Sequence, residues 1–193
     1  MPWEKQFDID NALDRALDAF WARGYEPTSV QDLVDCMGIN RGSLYATFGD
    51  KRSLFILALR RYDAIHREAW VKALEQKGSA KDAITAAFQS VVDAALEAGS
   101  RDGCLLVNTA LELSPHDEEI SAIVGHSLAE MERFFRRRIE DGQAEGEIAA
   151  HLDPVATASS LLSLFIGLRV LSRSRPEAPL LVSIANQAEA LLS

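Results

Sequence analysis

Leu13, Ala16, Leu17 and Phe20 stand at i, i+3, i+4 and i+7, and this three-and-four spacing of apolar residues recurs nearly to the end of the chain. Such a period stacks the side chains on one face of a helix, whereas a half-buried strand needs alternation at every second residue. No stretch carries the strand period and no internal repeat is visible. The chain is therefore expected to be all-α, with about nine helices delimited by capping residues, glycines and prolines.

The first helix closes at Gly24. Thr28-Ser29-Val30-Gln31 reads as a capping box, with the Thr28 hydroxyl reaching the amide of Gln31, and opens a short second helix through Val30, Leu33, Val34 and Met37 to Gly38. Asn40 caps a third helix of roughly two turns that stops near Gly49. Asp50 caps a long fourth helix with an apolar face of Leu54, Ala58, Tyr62, Ile65 and Ala69. Ser79 starts a fifth, through Ala83, Ala87, Val91 and Leu96 to Gly99, and a short sixth comes after Gly103 and is broken at Ser114-Pro115. A seventh spans residues 117 to 142. Asp153-Pro154 opens the eighth, since proline fits the first helical position behind an Asp cap, and Pro176 and Pro179 separate it from the last.

The chain of 193 residues is long enough for a sizeable core, with 48% hydrophobic and 25% charged residues. The opening MPWEKQFDID lacks the basic and apolar regions of a secretory signal. Val155 to Leu168 is the longest uncharged run near the C-terminus, and it reads as a buried helix rather than a membrane span, being short and rich in Ser and Thr. Two cysteines, Cys36 and Cys104, make no disulfide framework, which fits a reducing cytoplasm. A net charge of -9 argues against indiscriminate coating of nucleic acid. Yet from Gly38 to Arg61 the basic residues Arg41, Lys51, Arg52, Arg60 and Arg61 face one acid, Asp50.

Two short helices joined by a turn at Gly38 have the plan of a helix-turn-helix. The second presents Arg41, Gly42, Ser43, Tyr45 and Thr47 outward, while Leu44 and Phe48 face the core. Arg41 suits a bidentate pair with guanine O6 and N7. Ser43 and Thr47 suit bases or phosphates, Tyr45 a phosphate or thymine methyl, and Gly42 keeps the helix surface low. Lys51, in the first turn of the fourth helix, suits a phosphate oxygen; Thr28 and Ser29, at the start of the second helix, complete the candidate DNA-binding set. Arg60 and Arg61 read as a solvated face.

These residues resemble those of a known family. Ala19-Phe20-Trp21, Gly24-Tyr25-Glu26-Pro27-Thr28-Ser29-Val30, Met37-Gly38-Ile39, Gly42-Ser43-Leu44-Tyr45, Phe48 and Lys51 resemble the DNA-binding domain of TetR/AcrR-type transcriptional repressors over residues 7 to about 62. Beyond that the helices agree in number and order. The resemblance implies a reading third helix, a phosphate contact at Lys51, and a homodimer through the helices near 153–174 and 180–192. We place the helix-turn-helix domain at 1–50 and an effector-binding and dimerisation domain at 51–193. The expected function is a ligand-responsive repressor that binds a near-palindromic double-stranded DNA operator as a dimer, its heads about 34–36 Å apart, and is released by a small molecule.

In that family the middle helices enclose the effector; candidate lining residues here are Trp70, Phe88, Val92, Leu105, Asn108, Phe134 and Phe165, each of which also fits a plain core. Cys104 adds a thiol. The segment Gly103-Cys104-Leu105 with Ala110-Leu111-Glu112 resembles a branch that senses electrophiles and oxidants through a cysteine at the start of the sixth helix, where a helix N-terminus favours thiolate. Arg101 would favour it and Asp102 oppose it. Inert packing remains the alternative for Cys104 and is the reading for Cys36. His66, His116, His126 and His151 are isolated, so no metal site is expected, and no cofactor motif is present. Without a phosphate loop or nucleophile elbow an enzyme is not expected; a helical adaptor without DNA is the third class.

Overall fold

The computed structural model describes residues 7–97 and 103–193. They are helical throughout, without a strand, and form nine helices when the fourth is counted as one rod. The helices are α1 (Ile9–Arg23), α2 (Val30–Met37), α3 (Arg41–Phe48) and α4, which runs Lys51–Tyr62, passes through a π-helical segment Asp63–Arg67 and continues as Glu68–Glu75. Next come α5 (Ala80–Leu96), α6 (Leu105–Glu112), α7 (Glu118–Ala144), α8 (Pro154–Ser174) and α9 (Ala178–Ala190).

Most boundaries lie where local chemistry sets them. The side chains of Asn40, Asp50, Ser79, Asp117 and Asp153 accept amide hydrogen bonds from the first turns of α3, α4, α5, α7 and α8. Gly38 sits in the left-handed region, φ 68° and ψ 32°, and so closes α2 where a side chain would be strained. The capping box is displaced by one residue from expectation. Ser29, not Thr28, is the cap: its hydroxyl accepts from the Asp32 amide while the Asp32 carboxylate accepts from the Ser29 amide. Thr28 instead turns inward, fully buried, and its hydroxyl donates to the Gly24 carbonyl at 2.7 Å.

The apolar face of α4 also departs from the simple period. Leu54, Ala58 and Tyr62 are buried, but Ile65 and Ala69 are exposed. The π-helical turn at 63–67 adds a residue to one turn and rotates the remainder of the helix, so that Trp70 and Leu74 face inward instead. The fifth helix is described to Leu96; the expected stop at Gly99, with Arg101 and Asp102, lies outside the described residues. The eighth helix is longer than its uncharged run suggested. At 21 residues it has the length and apolarity to cross a membrane; in this fold one face of it packs against α5, α7 and α9.

Two apolar cores result. The first joins Ala16, Leu17 and Phe20 of α1, Leu33 and Met37 of α2, Leu44 and Phe48 of α3 and Phe55, Leu59 and Tyr62 of α4 with Leu105 and Leu106 of α6, Leu113 just after it and Ile120 of α7. The second joins α5, α7, α8 and α9 around Phe88, Phe134, Phe135 and Phe165. The expected domain boundary after residue 50 falls inside the first core, which continues along α4 to Tyr62 and takes in α6. The helices that carry the sequence's DNA-like motif are thus packed directly on part of the other two-thirds of the chain.

Candidate nucleic-acid interface

Leu44 and Phe48 anchor α3 in the first core, and this leaves the opposite face outward. On it Arg41 and Gly42 are exposed, Tyr45 is 46% exposed, and Ser43 and Thr47 are half-buried. A Cβ at Gly42 would lie 3.3 Å from the Asn40 cap oxygen, so glycine here both lowers the surface and spares the cap. Ser29 is exposed at the head of α2. Thr28 has no surface and both its amide and its hydroxyl are engaged internally, so its expected place on a DNA contact face is corrected: it braces the loop behind that face.

Lys51 is tied down locally. Its ammonium lies 4.2 Å from the centre of the Tyr25 ring and donates to the Glu26 carbonyl at 3.4 Å. Both partners are uncharged, so its positive charge is not neutralised. The other basic residues of the window are. Arg52 donates to Asp117 at 2.6 and 2.9 Å and to Glu119 at 3.1 Å. Arg60 pairs with Glu119 at 3.5 Å, and Arg61 with Asp10 and Asp14. The Arg52 guanidinium, helped by the amide of Ile120, lowers the Asp117 carboxyl to about 2; the Arg61 guanidinium likewise holds Asp14 below its ordinary value. The local excess of positive charge therefore reduces, on the outer face, to Arg41 and Lys51. Arg60 is exposed, as expected of a solvated face, whereas Arg61 is half-buried and braces α4 against α1.

The head is joined to the rest of the chain through both ends of α6. The Trp21 indole donates to the Gly103 carbonyl at 3.1 Å, and the Glu112 carboxylate accepts from the Tyr25 and Glu26 amides at 3.3 and 2.9 Å. The Tyr62 hydroxyl donates to the Cys104 sulfur at 3.7 Å. Sequence reasoning did not pick out Glu112, Trp21 or Tyr62 for these contacts. Each spans more than forty residues, and no local pattern marks it.

A cavity of about 260 Å³ lies beside these links, lined by Trp21, Tyr62, His66, Arg67, Trp70, Cys104, Leu106, Met131 and Arg169. Of the expected effector residues it brings together Trp70 and Cys104. Phe88, Val92, Leu105, Phe134 and Phe165 are buried in the two cores and do not line it; their helical spacing marked interior faces, not an opening. Asn108 is half-buried on α6 and off the lining. Cys104 is the N-cap residue of α6, one position before the helix rather than in its first turn. Burial raises the Cys36 thiol, which donates to the Leu33 carbonyl, in keeping with a packing role.

Comparison with known proteins matches this geometry at both ends of the chain. Residues 12–58 match the family model of bacterial regulatory proteins of the tetR family, and residues 80–180 match a tetracyclin repressor-like C-terminal domain. The HTH-type transcriptional repressor ComR of Escherichia coli is 31% identical over 94% of this chain and 87% of its own. The HTH-type transcriptional regulator YezE of Bacillus subtilis is 37% identical over 75% of this chain and 74% of its own. Among solved structures, a cysteine mutant of the TetR family regulator CifR, complexed with a 26-bp double-strand operator DNA, superposes with a TM-score of 0.85 at 32% identity, covering 98% of this chain and 99% of that one. With its head, its helical body and these relatives in agreement, the chain belongs to the TetR family of bacterial transcriptional regulators.

Proposed function

We propose that the protein is a ligand-released repressor that binds a near-palindromic operator as a homodimer in the cytoplasm. The observation that carries the DNA reading is the outer face of α3 with Lys51 beside it: small and polar side chains around two positive charges that no carboxylate neutralises. Arg41 reads a guanine edge, Ser43, Tyr45 and Thr47 contact bases or phosphates, Gly42 permits close approach, and Ser29 and Lys51 fix the backbone. The repressor sense is supported by ComR, which is a repressor, and by CifR bound to operator DNA.

A dimer is supported by the surface of the last two helices. Only 33% of the most apolar window of α8 is buried within the protomer, and Val155, Val170, Val182 and Leu191 are exposed on α8 and α9. A two-fold pairing of these faces covers them and presents two copies of α3 to successive major grooves.

Release is coupled to α6. A ligand in the cavity touches Trp21, Cys104 and Leu106, and thereby the N-terminal tether of α6; the C-terminal tether, Glu112, holds the loop that in turn holds Lys51. Moving α6 therefore shifts the population toward a head spacing that no longer fits the operator. A second reading, in which modification of the Cys104 thiol performs the release, is favoured by the place of that thiol on the cavity wall; unchanged release by N-ethylmaleimide in Cys104→Ser would remove it.

The test of the main reading is anisotropy of labelled DNA from the region upstream of the protein's own gene. Tight, salt-sensitive binding that Arg41→Ala weakens and makes less selective is expected. Equal binding by wild type and Arg41→Ala across sequences would overturn it.

A further inference from the structure

The cavity has a charge character opposite to that of the chain. The protein carries 29 acidic and 20 basic residues, yet the cavity lining holds two arginines and no carboxylate. The two arginines are not equivalent. Arg67 is committed to Asp63, to which it donates at 2.8 Å. The Arg169 side chain makes no hydrogen bond or ion pair among the described residues; its guanidinium lies over the Phe165 ring, 5.2 Å from the centre, and its Nε is buried without a partner. No carboxylate among the described residues pairs with this guanidinium, so its charge has no counter-ion in the cavity wall and suits an anion that enters there.

The remaining lining is apolar or a neutral donor. Trp21, Trp70, Leu106 and Met131 provide flat and flexible apolar walls, with Trp70 backed by Phe134 and Phe165 at 5.8 and 5.4 Å between ring centres. The Tyr62 hydroxyl stands at the Cys104 edge. Burial raises the Tyr62 phenol and lowers His66, so both are neutral near pH 7. His66 and Arg67 reach the cavity because the π-helical turn of α4 lies against it, and π-turns are frequent at functional sites. A volume of about 260 Å³ corresponds to roughly nine liquid waters, the size of a single ring or short chain with one polar end.

We propose that the effector of this regulator is a small carboxylate with an apolar body, bound with its carboxylate on Arg169 and its body against Trp21, Trp70, Leu106 and Met131. The proposal rests on the cavity being the effector site. A guanidinium offers two parallel N–H donors to a carboxylate, and in a half-dry site that pairing discriminates strongly against an isosteric amide. An amine is repelled, and a purely apolar ligand leaves the Arg169 charge without a counter-ion.

The experiment is calorimetric titration of the full-length protein with benzoate and pentanoate, and with benzamide and pentanamide as neutral partners of the same shape. At least one acid is expected to bind about tenfold or more tightly than its amide. Arg169→Met is expected to erase that preference, and Arg169→Lys, which keeps the charge without the planar fork, to retain it in weakened form. Acid and amide bound equally, no acid bound at millimolar concentration, or a preference that survives in Arg169→Met overturns the proposal. If Arg169→Met does not fold, the wild-type ratio and Arg169→Lys decide: an absent wild-type preference, or a preference undiminished in a folded Arg169→Lys, overturns it. Operator affinity without acid is measured in parallel. Acid binding by a protein that does not bind DNA refutes the regulatory reading and leaves the anion site standing, whereas DNA binding without acid preference refutes the site alone.

Discussion

Arg41 and Arg52 are eleven residues apart on the same small head, and they have opposite fates. Arg41 projects from α3 with no partner among the described residues, while Arg52 is held by Asp117 and Glu119 from α7. Arg60 also pairs with Glu119, whereas Arg61 ties α4 to α1 within the head through Asp10 and Asp14. One face of the head leaves its charge without a carboxylate partner, while the other pairs it, Arg52 and Arg60 with the body and Arg61 within the head. Counting basic residues along the sequence conflates these two uses. The pairing partners, which arrive from elsewhere in the fold, separate them.

The contrast predicts an order of effects. The largest is Arg41→Ala, which should lower operator affinity by about 1–3 kcal/mol and relax selectivity at one base pair of each half-site; competition among operator variants measures both. Next is Thr28→Val, which keeps the buried methyl but withdraws the donor from the Gly24 carbonyl. It should cost about 1 kcal/mol of stability in urea unfolding and leave the operator affinity of the folded protein unchanged, since Thr28 is a brace and not a contact.

The smallest effect on DNA is expected for Arg52→Met. Its consequence lies in the acid range instead. Asp117 is lowered from 3.8 to about 2, first by Arg52, so the pairing stabilises the native state above its ordinary pKa and the stabilisation is lost as pH falls through about 2. Wild type should therefore exceed Arg52→Met in stability above about pH 4, and the two unfolding curves should converge near pH 2. Curves that stay parallel throughout would place no weight on the pair.

Much of the fold was legible because its signals are local. Asn40, Asp50, Ser79, Asp117 and Asp153 cap the helices that they precede in sequence, and Gly38 makes the turn that its lack of a side chain permits. The outward face of α3 was legible for the same reason, since the inward spacing of Leu44 and Phe48 dictates what faces out. Errors arose where tertiary packing decides between neighbours. Thr28 and Ser29 are both competent caps, and burial of Thr28 settles the choice. Ile65 and Ala69 obey the helical period, but a π-turn that no residue announces rotates them to the surface. The cavity was least legible. Periodicity identifies interior faces, and Phe88, Phe134 and Phe165 are indeed interior; an opening is instead a place where five helices fail to close, and only their assembly reveals Arg169 within it.

If α3 and Lys51 meet the duplex while Arg52 is bound to the body, their variants differ in the salt dependence of binding. The most direct measurement is the slope of log affinity against log salt for operator binding by wild type, Lys51→Ala and Arg52→Met. Lys51→Ala should flatten the slope by about one unit per protomer, as one phosphate contact is lost, and Arg52→Met should leave it at the wild-type value. A slope unchanged in Lys51→Ala, or flattened in Arg52→Met, would contradict the account.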